Sequence, residues 1–189
     1  MLGSFYKKLS IVKILKQNIN DVYLIESEPF IDERGAFRRH FCTEEFANGG
    51  ISPSVKQANI SENKFAKTLR GFHYQIKPFS EGKTLSCLRG SIYDIILDLR
   101  VESKTYMKWI SFELNENNRL SIHIPPGCAN AFLTLEDNCL IHYYCSNSYH
   151  PASERGIRYD DPAFNFQWPF SPEIISDKDK SHPDYKIIK

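Results

Sequence analysis

The sequence predicts an all-β fold, a jelly-roll barrel with few and short helices. Strand-like runs rich in Ile, Leu, Tyr and Phe recur at short spacing, turn signals separate them, and helical periodicity is scarce. The runs fall at 22–25, 37–42, 68–74, 84–88, 91–99, 108–113, 121–124, 131–135 and 140–145. Between them stand Glu33-Arg34-Gly35, Asn48-Gly49-Gly50, Arg89-Gly90, the asparagine-rich 115–118, Pro125-Pro126-Gly127 and Glu136-Asp137-Asn138. Many short strands with regular turns suit a sandwich or barrel rather than βαβ units. One short helix is expected over 43–47, with Thr43 as N-cap and Glu44 and Glu45 in its first turn. The tail from Asp160 is rich in proline, and Trp168-Pro169-Phe170 is expected to pack back on the sheet.

A chain of 189 residues is most simply one domain, 1–189, with its core over about 22–184. Its net charge of +1 gives no strong field toward nucleic acid or membrane. No apolar stretch is long enough to span a bilayer. The lysine-bearing N-terminus shows no signal-peptide core or cleavage site. Five cysteines, at 42, 87, 128, 139 and 145, form no CxxC and read as reduced thiols, so a cytoplasmic protein is expected.

The most informative segment is Thr68-Leu69-Arg70-Gly71-Phe72-His73-Tyr74-Gln75-Ile76. Strict alternation puts Arg70, Phe72 and Tyr74 on one face and Gly71, His73 and Gln75 on the other. Gly71 leaves room beside the imidazole for a close approach. His73 is then either a base facing a pocket or a core histidine satisfied by its neighbours. Lys83 opens the next strand, where an ammonium on a pocket wall neutralises charge on a substrate oxygen; the alternative is a surface lysine. Tyr143 and Tyr144 are adjacent in one strand, so at most one of them faces the pocket. Asp94 and Asp98 share a face of one strand, and salt bridging near Arg100 is the plainer role for them. An acid in Ser176-Asp177-Lys178-Asp179 orients an imidazole if the tail folds back, and is otherwise a solvated turn.

Barrels of this cupin type often hold a metal through a His-x-His pair, a carboxylate and a third histidine. His73 has no histidine two residues away, and Asn130 stands where another histidine would sit, so a metal-free site is expected. Walker, GxGxxG, GxSxG and HExxH motifs are missing from the sequence, which disfavours nicotinamide and P-loop chemistry.

These pieces occur in a recognisable order. Phe30-Ile31-Asp32-Glu33-Arg34-Gly35-Ala36-Phe37, Gln57-Ala58-Asn59-Ile60-Ser61, Leu69 to Gln75, Gly82-Lys83, Gly90 to Arg100, Ile124-Pro125-Pro126-Gly127, Tyr149-His150-Pro151, Asp160-Asp161-Pro162, Trp168-Pro169 and Ser176-Asp177-Lys178-Asp179 together resemble the dTDP-4-dehydrorhamnose 3,5-epimerase family of cupin-fold sugar-nucleotide epimerases. The resemblance implies His73 as general base, Asp179 as its acid partner, Tyr143 as proton donor from the opposite face and Lys83 beside the sugar's C4 oxygen. It implies that Phe30, Arg34, Phe37, Gln57, Asn59, Arg70 and Tyr149 lie near the nucleotide, its phosphates or the sugar. It further implies a homodimer sharing site residues between subunits, and no metal or redox cofactor.

Two positions depart from the family pattern. Asn130 replaces a histidine near the substrate, which keeps hydrogen bonding but loses a charge and bears on which carbon is epimerised. Arg39 replaces a glutamate; it either reads a base edge that presents acceptors, as in a GDP- or CDP-linked sugar, or points to solvent or a phosphate. The expected activity is inversion at C3, C5 or both, beside the 4-keto group of a nucleotide-linked deoxysugar used in cell-surface or secondary-metabolite synthesis. The alternatives are a single-centre epimerase and a non-catalytic sugar-nucleotide-binding barrel.

Overall fold

The structure is a computed structural model that describes residues 12–187. Its strands are β1 (Val12–Lys16), β2 (Tyr23–Ser27), β3 (Phe30–Asp32), β4 (Gly35–Phe37), β5 (Gln57–Asn63), β6 (Thr68–Gln75), β7 (Lys83–Arg89), β8 (Ser91–Asp98), β9 (Trp109–Asn115), β10 (Leu120–Ile124), β11 (Cys128–Thr134), β12 (Cys139–Cys145), β13 (Glu154–Gly156) and β14 (Ile174–Ile175). Two short α-helices, α1 (Thr43–Asn48) and α2 (Asp177–Lys180), and a 3-10 turn at Pro151–Ser153 complete the described elements. One sheet runs β1-β2-β10-β7-β12-β5; the other runs β13-β6-β11-β8-β9, with β14 parallel to the start of β6; β3 and β4 form a separate hairpin. The jelly-roll expectation therefore holds.

Alternation explains the packing. Leu85, Ile122 and Ile141 of the first sheet meet Ile92, Ile96 and Phe132 of the second in the barrel interior. The outer face of the second sheet is covered by the chain after Ile157: Phe72, Ile95 and Ala131 pack on Phe164 and Phe166, with Trp168 against them. Trp168 also donates its indole N–H to the Tyr159 carbonyl at 3.0 Å, so this part of the tail returns to the sheet as expected. The outer face of the first sheet is covered by α1, with Phe46 and Ile51 on Tyr23 and Ile25.

Several details differ from the sequence reading. Thr43 is the first residue of α1 and Cys42 is its N-cap, with no side-chain cap bond. Glu44 and Glu45, near the exposed N–H groups, remain favourably placed. The expected strand 37–42 ends at Phe37, because the chain leaves the β3–β4 hairpin there to cross the first sheet. The pleat of β6 is also not strict. Asn130 pairs with His73 and Phe132 with Arg70, so β6 carries one residue more than β11 over this stretch. The bulge buries Phe72 on the outer face and returns both Arg70 and His73 to the cavity side. Gly71 has φ +117°, and a Cβ there would lie 2.5 Å from the Asn130 carbonyl oxygen. The group that approaches this glycine is therefore the neighbouring strand, not a ligand.

Candidate active site

Two adjoining cavities open inside the barrel, of about 490 and 350 Å³, and His73, Lys83 and Tyr143 line both. The larger continues past Arg70 and Asn130 to α2; the smaller is bounded by Gln57, Asn59, Glu81 and Tyr149. Together they hold nine of the thirteen residues singled out from sequence: His73, Tyr143, Asp179, Lys83, Arg70, Asn130, Gln57, Asn59 and Tyr149.

His73 stands in the middle of β6, and its Nε2 lies 2.8 Å from Oδ1 of Asp179. Ser176 caps α2 by accepting from the Asp179 N–H at 3.1 Å, which fixes the short helix against the barrel. The other carboxylate oxygen, Oδ2, accepts the Gly71 N–H at 3.2 Å. Burial works to raise the pKa of Asp179, but the His73 bond and charge, the Gly71 N–H and the Ser176 side chain outweigh it and hold the carboxyl below its usual value. An anionic Asp179 fixes the imidazole's orientation through this bond.

Tyr143 projects inward from β12, and Tyr144 projects outward against His142, with ring centroids 4.6 Å apart. Burial chiefly, with Cys145 and Glu81 nearby, raises the Tyr143 pKa, so the phenol is a proton donor at neutral pH. Lys83, at the start of β7, reaches the His73 carbonyl at 3.4 Å and Glu81 at 3.5 Å. Its side chain lines both cavities together with the imidazole and the phenol. Arg70 is steadied by donating to Asn63 at 2.7 Å. Gln57 accepts from the Tyr149 N–H, and the Tyr149 hydroxyl donates to Glu154 at 2.7 Å.

The remaining four lie elsewhere in this chain. Phe30, Arg34 and Phe37 belong to the β3–β4 hairpin, where both phenylalanines are about half exposed and Arg34 pairs with Asp32 at 2.6 Å. Arg39 pairs with Glu45 of α1 at 2.7 Å and does not line either cavity. Sequence reading passed over three charged groups on the cavity walls: Lys178 and Glu154, which bond each other at 2.6 Å, and Glu81, which faces Lys83. The only sequence signals for Lys178 and Glu81 are their positions near Asp179 and Lys83, and Glu154 has none. The plainer role assigned to Asp98 is correct: it receives Arg100 at 2.8 Å, Ser103 and Thr105.

A barrel that brings an imidazole–carboxylate pair, a phenol and an ammonium around one cavity has the parts of an acid–base enzyme. The comparisons give the family. The model for dTDP-4-dehydrorhamnose 3,5-epimerase matches residues 16–186, and the chain belongs to that family of isomerases. It is 36% identical over 167 residues to the dTDP-4-dehydrorhamnose 3,5-epimerase of Sinorhizobium fredii, covering 88% of this chain and 86% of the relative. A Bacillus anthracis dTDP-4-dehydrorhamnose 3,5-epimerase, solved with TDP and pyrophosphate bound, superposes with TM-score 0.90 at 31% identity, over 93% of this chain and all of that one. A 3'-monoepimerase from Streptomyces bikiniensis, solved with dTDP-quinovose, superposes with TM-score 0.83 at 29% identity, over 89% of this chain and 85% of that one.

Proposed function

We propose that this protein epimerises a nucleotide-linked 4-keto-6-deoxysugar, inverting C3, C5 or both. The observation that carries the reading is the convergence of His73–Asp179, Tyr143 and Lys83 on one cavity space. The 4-keto group acidifies the adjacent C–H bonds. His73 removes the proton, and Asp179 stabilises the imidazolium that results. Lys83 stabilises the enolate oxygen, an electrostatic contribution of about 10²-fold or more. Tyr143 returns a proton to the opposite face, since one base returning its own proton restores the starting configuration. The nucleotide is a deoxythymidine diphosphate, which the names of the relatives support. Gln57, Asn59, Arg70 and Tyr149 surround the sugar and phosphates, and Asn130 adjoins the reacting ring.

The working form is a homodimer. The exposed Phe30, Ile31 and Phe37 of the hairpin, with Ile60 exposed on the edge strand β5, support an apolar contact between copies. In that assembly the hairpin, and Arg39 beyond it, complete the partner's cavity. Five unbridged cysteines favour the reducing cytoplasm.

A binding protein without catalysis is separated from an enzyme by His73→Asn. The expected result is dTDP binding within about twofold of wild type by calorimetry, with turnover of dTDP-4-keto-6-deoxyglucose lowered about 10²–10⁴-fold. Wild type that binds and never turns over overturns the reading. Competition with GDP- and CDP-linked sugars tests the choice of base.

A further inference from the structure

Asp94 lies in the middle of β8, on the inward face between Ile92 and Ile96, and is fully buried. A carboxyl in an apolar layer is costly unless its oxygens are satisfied. Here only one of them is. Oδ1 accepts the side-chain amide of Asn130 at 3.1 Å, and Oδ2 accepts no hydrogen bond among the described residues. Asn130 sits one strand over, in β11, directly opposite His73 of β6, and its side chain is on the cavity wall. The acid therefore sits one side chain behind the wall, linked to it by a single bond. Burial pushes the Asp94 carboxyl up to about 7, against the Asn130 bond and the Lys83 charge.

We infer that Asp94 is a positioning residue, that it fixes the Asn130 amide with its carbonyl oxygen toward the cavity, and that this oxygen accepts a hydrogen bond from a ring hydroxyl of the sugar. The inference rests on the proposed epimerase reading and deepens it. Asn130 donates its amide nitrogen to Asp94 Oδ1 at 3.1 Å, and the planar amide then turns its own Oδ1 the other way. Asn130 by itself is symmetric enough to offer a donor or an acceptor; paired with Asp94 it offers an acceptor. The group recognised is then a hydroxyl, since a keto or ether oxygen has no hydrogen to give. Placement opposite His73 puts that hydroxyl next to the carbon that loses its proton, so the pair distinguishes sugars hydroxylated there from deoxy analogues.

The test uses Asp94→Leu and Asn130→Ala, with 4-keto-6-deoxyglucose on dTDP and its 2-deoxy and 3-deoxy analogues. Each variant is expected to lower kcat/KM for the full sugar by about tenfold to a hundredfold. For the analogue lacking the recognised hydroxyl, the loss should be under about twofold, and the double variant should be no worse than either single one. Equal losses on all three sugars, or losses that multiply in the double variant, overturn the inference. If Asp94→Leu does not fold, Asp94→Asn serves. It keeps an acceptor and the shape, so at least about half of the wild-type discrimination between sugars should remain. A readout independent of turnover is the nitrogen-15 spectrum of the Asn130 side-chain amide in ligand-free protein. Protons slow to exchange in wild type and fast in the Asp94 variant support the positioning role even if the epimerase reading fails. Protons that exchange fast in wild type overturn it.

Discussion

His73 and Asp179 lie 106 residues apart in the chain and 2.8 Å apart in the structure, the first in the middle of a strand and the second in a one-turn helix of the tail. The tail is thus part of the active cavity as well as a cover for the outer face of the sheet. Replacing Asp179 by Asn keeps the size and a hydrogen-bonding group but removes the charge. The expected result is a kcat lowered about 10²-fold or more with KM changed little. Steady-state kinetics on a 4-keto sugar nucleotide checks it; a variant as fast as wild type removes the acid from the mechanism.

Tyr143→Phe separates the two halves of the reaction. In the proposed mechanism His73 still abstracts the proton of this variant's substrate and the enolate still forms, so exchange of the C–H with solvent should continue. Inversion should fall by about 10²-fold, because the donor on the second face is gone. Proton NMR in heavy water follows both processes in one sample. Parallel loss of exchange and inversion contradicts the assignment of Tyr143 as donor.

If the hairpin completes the partner's cavity, two inactive chains can rescue each other. His73→Asn and Arg34→Ala, unfolded and refolded together in equal amounts, give mixed dimers in which one cavity carries both lesions and the other carries neither. Random pairing then returns roughly a quarter of wild-type activity. Cavities built from one chain each return none, and the activity of the mixture decides between the two.

The outer face of the first sheet carries a pH-sensitive group of histidines. His123 bonds Thr84 at 2.9 Å, His40 adjoins His142 and Ser86, and burial lowers His123 and His40 each to about 4. A histidine whose folded pKa is depressed contributes stability that is present above its unfolded value near 6.5 and is lost as pH falls toward 4. For the nearly buried His123 the loss is on the order of 2 kcal/mol. Asp94 acts with the opposite sign over the same range, because its folded pKa is raised. The clean measurement is therefore a difference: His123→Gln should flatten the fall in denaturant-derived stability between pH 6.5 and 4 relative to wild type. An unchanged slope contradicts the assignment.

The order of motifs made much of this legible. Taken singly, His73, Lys83, Tyr143 and Asp179 each had a plainer role; the order of the local patterns and the family resemblance singled them out, and the barrel gathers them around one cavity. Alternation correctly separated Tyr143 from Tyr144, since β12 is regular there. It failed at Arg70 and His73, where the bulge against Asn130 and Phe132 resets the pleat, an effect of pairing that one strand's sequence does not encode. Asp94 looked like another salt-bridging acid because its partner, Asn130, is 36 residues away. Arg39 carried two readings, a base-reading group or one facing solvent or a phosphate, and its pairing with Glu45 within the chain depends on where the chain crosses the sheet after the hairpin, which local sequence does not encode.

Deuterium uptake in heavy water tests the central claim most directly. The protein is incubated with dTDP-4-keto-6-deoxyglucose, mass spectrometry counts the deuterons gained, and proton NMR locates them. The account predicts uptake at one or both carbons flanking the keto group, abolished by His73→Asn, with two deuterons marking a double epimerase and one a single-centre enzyme. Binding of the sugar nucleotide with no deuterium gained at either carbon contradicts it.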